Sequence, residues 1–320
     1  MSTLEETLVA SKPGQNARLI PRRKSALIKL QLMRETGLGL LFLAPSLAVF
    51  AVFCFYPLLR TVYLSMQVTN PRGKVVDFAG LDNFKAIFTS EAFYQSLAVT
   101  GKFALLTIPT GILLALVLAS LTSVVRPGMK LFQTVFSLPV AISVGTGAVI
   151  WNLLFHPTAG MFNYFLKLAG MPGIAWLSDP TWALYSVSGM TIWMNLGFTY
   201  IVLLSGIQAI PSDMIESATI DGAGRFTAFR TITLPLLSPT LFFTLVVSII
   251  HSLQAFGQFH IMTKGGPIHT TDVFVYSIFR EAFVNYRFGP ASAEALVLFV
   301  IVLLLTLFQF AVLERKVHYR

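Results

Sequence analysis

The sequence predicts an all-α integral membrane protein with six transmembrane helices, and three observations carry that expectation. Of its 320 residues 55% are hydrophobic and 12% charged, where a soluble domain carries roughly 25% charge. Mean hydropathy is +0.73. The apolar residues gather into continuous runs beyond the ~18 residues that mark a spanning helix, unlike the ~10-residue alternating segments of a membrane barrel.

The runs cover residues 38–59, 99–124, 131–155, 183–207, 238–262 and 293–313. The first is longer than the ~7 to 15 apolar residues of a cleavable leader, so it is expected to persist as a span. Residues 1–37 before it read as a basic tail with no periodic apolar face. The single cysteine, Cys54, excludes an intrachain disulfide and reads as a small buried apolar residue. Pro109, Pro139 and Pro239 fall within or at the edge of runs. There they are expected to kink helices and free carbonyls that must face protein or water.

Three connecting segments on one side, after the first, third and fifth runs, are too short for independent domains. Asn83, Phe84, Ile87 and Phe88 suggest a small interfacial helix in the first of them. The net charge of +9 would suit a nucleic-acid binder only if the cations formed a patch, and they do not. With the N-terminus inside, fourteen of the 23 Lys and Arg fall on the inner side. That bias places both termini, 1–37 and 314–320, in the cytoplasm, where basic tails meet anionic lipid.

Residues 208–235, between the fourth and fifth runs, interrupt this apolar pattern with charge. Pro211 and Ser212 start a short helix, with Asp213 and Glu216 at its positive end; Met214, Ile215 and Ala218 give it an apolar side, and Gly222 stops it. Phe226, Phe229 and Ile232 then recur at helical spacing up to Leu234-Pro235, where the second helix is expected to end. Helices this short are not stable alone in water. Elementary physics allows a connector lying on the membrane surface or an element docked on a partner.

Physics alone favours the surface connector, and a family resemblance turns the reading to docking. Glu216-Ser217-Ala218, then Gly222 after three residues, Ile232 after nine, and Leu234-Pro235 resemble the "EAA" loop of permease subunits of bacterial ATP-binding-cassette importers, and Asp221-Gly222-Ala223 fits its "DGA" form. Ser217 stands where alanine is usual. "AGLDNF" (79–84) and "MTKGGPIHTTDVFVYSIFREAF" (262–283) resemble the carbohydrate, or maltose-type, branch. The resemblance covers residue 38 to the end. It implies the type I importer permease fold, with a cytoplasmic coupling helix seated in a cleft of an ATPase, Glu216 pairing with a basic side chain there and Gly222 and Ala223 keeping the turn small. It also implies as partners a second homologous permease, two ATP-binding-cassette subunits that use ATP and Mg, and an extracytoplasmic solute-binding protein.

This chain has no phosphate-gripping G-x-x-x-x-G-K-[ST] motif, so it is expected to bind no cofactor and to catalyse nothing itself. His251 and His260 lie nine residues apart, off one helix face, and no metal site is read. Ser248, His251, Ser252, Gln254 and Gln258 cover about half of the fifth run's circumference. They read either as a substrate pathway or as interhelical hydrogen bonding. In the fourth run Asn195 and Phe198, with Trp193 and Tyr200 near them, pair amide and aromatic chemistry suited to sugar rings.

The leading expectation is half of the passage for a sugar or oligosaccharide. Glycerol 3-phosphate or a glycerophosphodiester is the alternative, compatible with "FREAF" and the ending "VLERKVHYR". A secondary carrier would need intramembrane carboxylates, and the runs hold only Glu294, at an end. A receptor or scaffold would leave the coupling pattern without a purpose.

Overall fold

The computed structural model describes residues 38–124 and 126–312. The tails expected at 1–37 and 314–320 lie outside the described residues. The chain divides into two compact units, Met1–Leu59 and Arg60–Arg320. In chain order the elements are α1 (Leu38–Ser65), with a π turn at Ala51–Phe55, and a hairpin of β1 (Gln67–Thr69) and β2 (Val75–Phe78). Next come α2 (Asp82–Thr89), α3 (Glu91–Thr122), α4 (Met129–Ala141), α5 (Val144–Leu154) and α6 (Met161–Leu168). They are followed by α7 (Ala183–Gln208), α8 (Ser212–Ile220), α9 (225–236), α10 (Ser238–Leu253), α11 (Gly257–Met262), α12 (Phe274–Phe279) and α13 (Phe288–Val312).

Five of the six apolar runs are helices or helix successions long enough to cross a membrane, and the sixth is a bent pair. The third run is a bent pair, in which α4 and α5 meet at 105°. Pro139 sits in a 3-10 turn at Leu138–Ala141, Ile142 is extended, and the Ser143 side chain accepts a bond from the Thr146 amide to start α5. The fifth run is also interrupted, at residues 254–256 between α10 and α11, with no proline to cause it. Pro109, by contrast, lies inside the unbroken α3, and Pro239 occupies the first turn of α10, where its missing N–H costs nothing.

What holds the third-span break is its neighbour. A Cβ on Gly197 of α7 would meet the Val140 nitrogen at 2.6 Å and the Ser137 carbonyl oxygen at 2.9 Å, so only glycine lets these backbones approach. The second break leans on the first, since a Cβ on Gly257 would meet Val144 Cγ1 at 2.9 Å.

Helices α3 and α7 form the spine of the second unit. One buried cluster joins Ala115 and Ala119 of α3 to Leu196, Tyr200 and Leu203 of α7. The Tyr200 hydroxyl shares a 2.6 Å hydrogen bond with Thr122, and Gln133 of α4 donates to the Thr122 carbonyl at 2.8 Å. A second cluster packs Phe103, Met190 and Phe259 from α3, α7 and α11. In a lipid environment such close packing and short polar contacts replace the hydrophobic drive available in water.

The hairpin was not expected from the sequence. It is antiparallel with a bulge between Val68 and Thr69, and Asn83 of α2 secures it by donating to the carbonyls of Ser65 (2.8 Å) and Gln67 (3.1 Å). The interfacial helix expected around Asn83–Phe88 is α2, with Ile87 buried and Phe88 exposed. Cys54, expected to be buried, is exposed on α1, as apolar side chains of a membrane helix are free to be. Glu294 lies in the second turn of α13, because that helix begins five residues before the apolar run does.

Gly197→Ala should therefore lower stability by about 1 to 3 kcal/mol through overpacking. Thermal unfolding of the detergent-solubilised protein checks this; an unchanged midpoint would mean that the Val140 backbone is not held against α7.

Candidate functional site

Helix α8 stands between the fourth and fifth spans. Its last turn closes in a Schellman arrangement: the Ala223 amide donates to the Ala218 carbonyl at 2.9 Å and the Gly222 amide to that of Thr219 at 3.1 Å. Gly222 has φ +82°, and a Cβ there would meet nothing within 4 Å. The glycine is required by backbone conformation, and the space around it is open.

Glu216, Ser217 and Asp221 are exposed, while Ala218 and Ala223 are half-buried toward the spans. Ile220 and Phe226 are 85% and 76% exposed. Phe226 thus parts from Phe229 and Ile232, which are half-buried.

Helix α9 does not end at Pro235 as the sequence suggests. Residues Phe229–Thr233 form a π turn in which the Leu234 amide reaches back to Phe229, and the helix passes through Pro235 to Leu236. A widened turn accommodates the proline ring that an α-helical ladder would exclude. Only Leu237, buried, separates α9 from α10.

The polar residues of the fifth run divide into two sets. Ser252 lies 3.4 Å from the Thr107 hydroxyl of α3, and Gln258 donates to Thr191 of α7 at 3.4 Å, so both make the interhelical contacts that were one of the two readings. Ser248 and His251 instead line a groove of about 240 Å³ with Asn195, Phe198 and the broken segment at Pro139, Val140 and Ile142. A pocket of about 20 Å³ behind it is lined by Asn195, Ser248, Ser252 and Thr107.

Gln254 is exposed at the break and lines neither space. Trp193 packs on Trp151 at 5.8 Å and Tyr200 is buried against Thr122, which makes both part of the packing. Sequence reading missed Val140, Ile142 and Thr199 as groove residues. The signal for the first two was Pro139 followed by Ser143-x-x-Thr146, a helix restart inside an apolar run.

Residues 107–319 match the family described as binding-protein-dependent transport system inner membrane component. The chain belongs to this family. The sn-glycerol-3-phosphate transport system permease protein UgpA of Agrobacterium fabrum is 35% identical over 282 residues, 87% of this chain and 95% of that protein. UgpA of Pectobacterium atrosepticum is 32% identical over 290 residues, 90% of this chain and 97% of its own length. Among solved structures, a bacterial ABC transporter involved in the import of the acidic polysaccharide alginate has a chain that superposes with a TM-score of 0.79 at 27% identity, covering 89% of this chain and 98% of that one. The alginate transporter in complex with an alginate pentasaccharide-bound periplasmic protein gives a TM-score of 0.79 at 26% identity, over 90% and 99% of the two chains.

The protein is accordingly a multi-pass permease of the ABC importer type, a transport subunit rather than an enzyme, and the receptor and secondary-carrier alternatives are set aside. Within it, Gly222→Ala should strain the left-handed turn by about 1 kcal/mol. Limited proteolysis should then cut residues 208–235 faster than in the wild type while the spans stay intact; equal cutting rates would mean that the turn does not depend on glycine.

Proposed function

We propose that this chain forms half of the passage of an ATP-driven, binding-protein-dependent importer in a bacterial cytoplasmic membrane, and that residues 208–235 couple it to an ATPase. The observation that carries the reading is the segment's surface: Ile220 at the end of α8 and Phe226 at the start of α9 stand 85% and 76% exposed, with Glu216 exposed on α8. Large apolar side chains on helices too short to be stable alone need a partner surface. Glu216 pairs with a basic side chain of that partner, and Ser217, Ala218, Asp221, Gly222 and Ala223 form the turn that enters its cleft. Ile232, Leu234 and Pro235 carry the chain back to α10.

In this reading ATP and Mg belong to two ATP-binding-cassette subunits, and this chain holds no cofactor. A second homologous permease supplies the other half of the passage, and a solute-binding protein delivers from outside, as the alginate transporter's periplasmic protein supports. The bias of Lys and Arg supports both termini in the cytoplasm.

The solute is a sugar or oligosaccharide. Support comes from the groove of about 240 Å³, where the Asn195 amide, the Ser248 hydroxyl and the Phe198 ring offer hydrogen-bonding and apolar surface, with His251 as the single ionisable group lining it. Glycerol 3-phosphate is the second reading, favoured by the 35% identical relative, an sn-glycerol-3-phosphate transport system permease protein. Ser252 and Gln258 serve by fixing the helices around the groove, and Gln254, which lines neither space, takes no part in it.

Affinity purification of the tagged complex from its host, with mass spectrometry, tests the coupling role. An ATPase, a second permease and a binding protein should accompany the wild type. Losing one partner of a buried interfacial charge pair costs about 2 to 5 kcal/mol, so Glu216→Ala should reduce ATPase recovery at least tenfold at equal expression. Gly222→Asp should abolish uptake; wild-type uptake in both variants would overturn the coupling role.

Asn195→Ala and His251→Ala should lower uptake severalfold while ATPase recovery stays unchanged. Uptake at wild-type rates in both would remove the groove from the pathway. Binding of sugars or of glycerol phosphates to the recovered binding protein decides between the two solutes.

A further inference from the structure

Between α8 and the spans lies a groove of about 700 Å³, which shares only Ala223 with the residues given the coupling role. Two cations from distant parts of the sequence line it, Arg126 just after α3 and Arg225 at the start of α9, and none of its lining residues is acidic. Neither arginine makes an ion pair among the described residues. The other walls are largely apolar, among them Leu121, Val124 and Met129.

The level of the groove follows from helix length. About 20 residues at 1.5 Å each cross the hydrocarbon. Helix α3 has 32 residues, more than a span needs, and the apolar run it carries ends at Val124; Arg126 is the first charged residue past that run, at headgroup depth. Two cations without an ion pair among the described residues, beside an apolar wall at that depth, match an anion with hydrocarbon attached. A free phosphate would satisfy the arginines and leave Leu121 and Val124 facing water.

We propose that this groove binds an anionic phospholipid of the cytoplasmic leaflet, its phosphate between Arg126 and Arg225 and an acyl chain along Leu121 and Val124. The assignment of the cytoplasmic leaflet rests on the topology proposed above; the lipid chemistry rests on the groove. Because Arg126 follows α3 and Arg225 begins α9, the headgroup bridges the spine of the unit to the segment that meets the ATPase.

The test uses the tagged full chain, purified with the subunits that accompany it in a neutral detergent. It is titrated with phosphatidylglycerol and with phosphatidylcholine, and retained lipid is counted by native mass spectrometry. Phosphatidylglycerol should be retained in preference. An arginine near an anionic lipid contributes about fivefold in affinity, so Arg126→Gln should weaken retention about fivefold and the double change with Arg225→Gln about 25-fold, while Arg126→Lys stays near the wild type.

Equal retention of the two lipids, or no change in the double variant, overturns the proposal. So does displacement of phosphatidylglycerol by millimolar glycerol 3-phosphate, which would make the groove a free-phosphate site. If the glutamine variants do not fold, a salt titration of the wild type decides: retention of phosphatidylglycerol should fall as salt rises, and salt-independent retention overturns the proposal. Lipid retention without any accompanying ATPase would count against the proposed coupling and leave this site standing.

Discussion

Inside hydrocarbon a backbone amide or carbonyl has no water to turn to, so a spanning helix can be interrupted only where protein or a wet cleft takes up the freed groups. The second unit is arranged around two such interruptions. At the first, the Ile142 amide turns back to the Pro139 carbonyl and the Ser143 hydroxyl takes the Thr146 amide, while Gly197 admits the Val140 backbone against α7. At the second, the Gln254 amide remains on Ile250 and the restart at Gly257 abuts Val144. Each break is a neighbour of the other, and the groove containing Asn195, Ser248 and His251 opens where the first turns aside.

The packing around the breaks explains why polar groups on one helix acquire different roles. Ser252 and Gln258 face α3 and α7, where Thr107 and Thr191 meet them, and they are buried. Such contacts average only ~0.6 kcal/mol each in a membrane, so their effect is to fix rotation more than to add stability. With α10 and α11 held in rotation, Ser248 and His251 are left on the groove side. A lone polar face along the whole run would not have produced this division.

The six spans were legible in the sequence because transfer from water to hydrocarbon depends on apolar length, which composition records directly. The breaks were not, because a window of hydropathy gives Pro109, Pro139 and Pro239 the same weight. Their different outcomes depend on what each residue meets: Gly197 lies against the segment of Pro139, Pro109 stays within a continuous helix, and Pro239 falls in a first turn. The break at residues 254–256 has no proline and rests on tertiary contact alone. That break also resets the 100° periodicity, which is why a helical wheel placed Ser248 and Gln258 on one face. In residues 208–235 Gly222 was legible, since few other residues adopt its conformation, whereas the passage of α9 through Pro235 depends on a π turn that no residue type announces.

That continuity governs how the segment can act. The Leu237 amide bonds the Thr233 carbonyl and the Leu241 amide bonds that of Leu237, each at 2.9 Å, so the helical ladder runs from α9 into α10. Leu237 is itself buried with Tyr200, Leu203 and Ile207 in the α3–α7 cluster. Residue 237 is therefore a bonded and buried joint between α9 and α10, and the open turn of the segment lies at Gly222 instead. Helix α10 ends at Leu253, where the fifth span is interrupted. The continuous helix of the span thus leads from the exposed segment to the groove at Ser248 and His251.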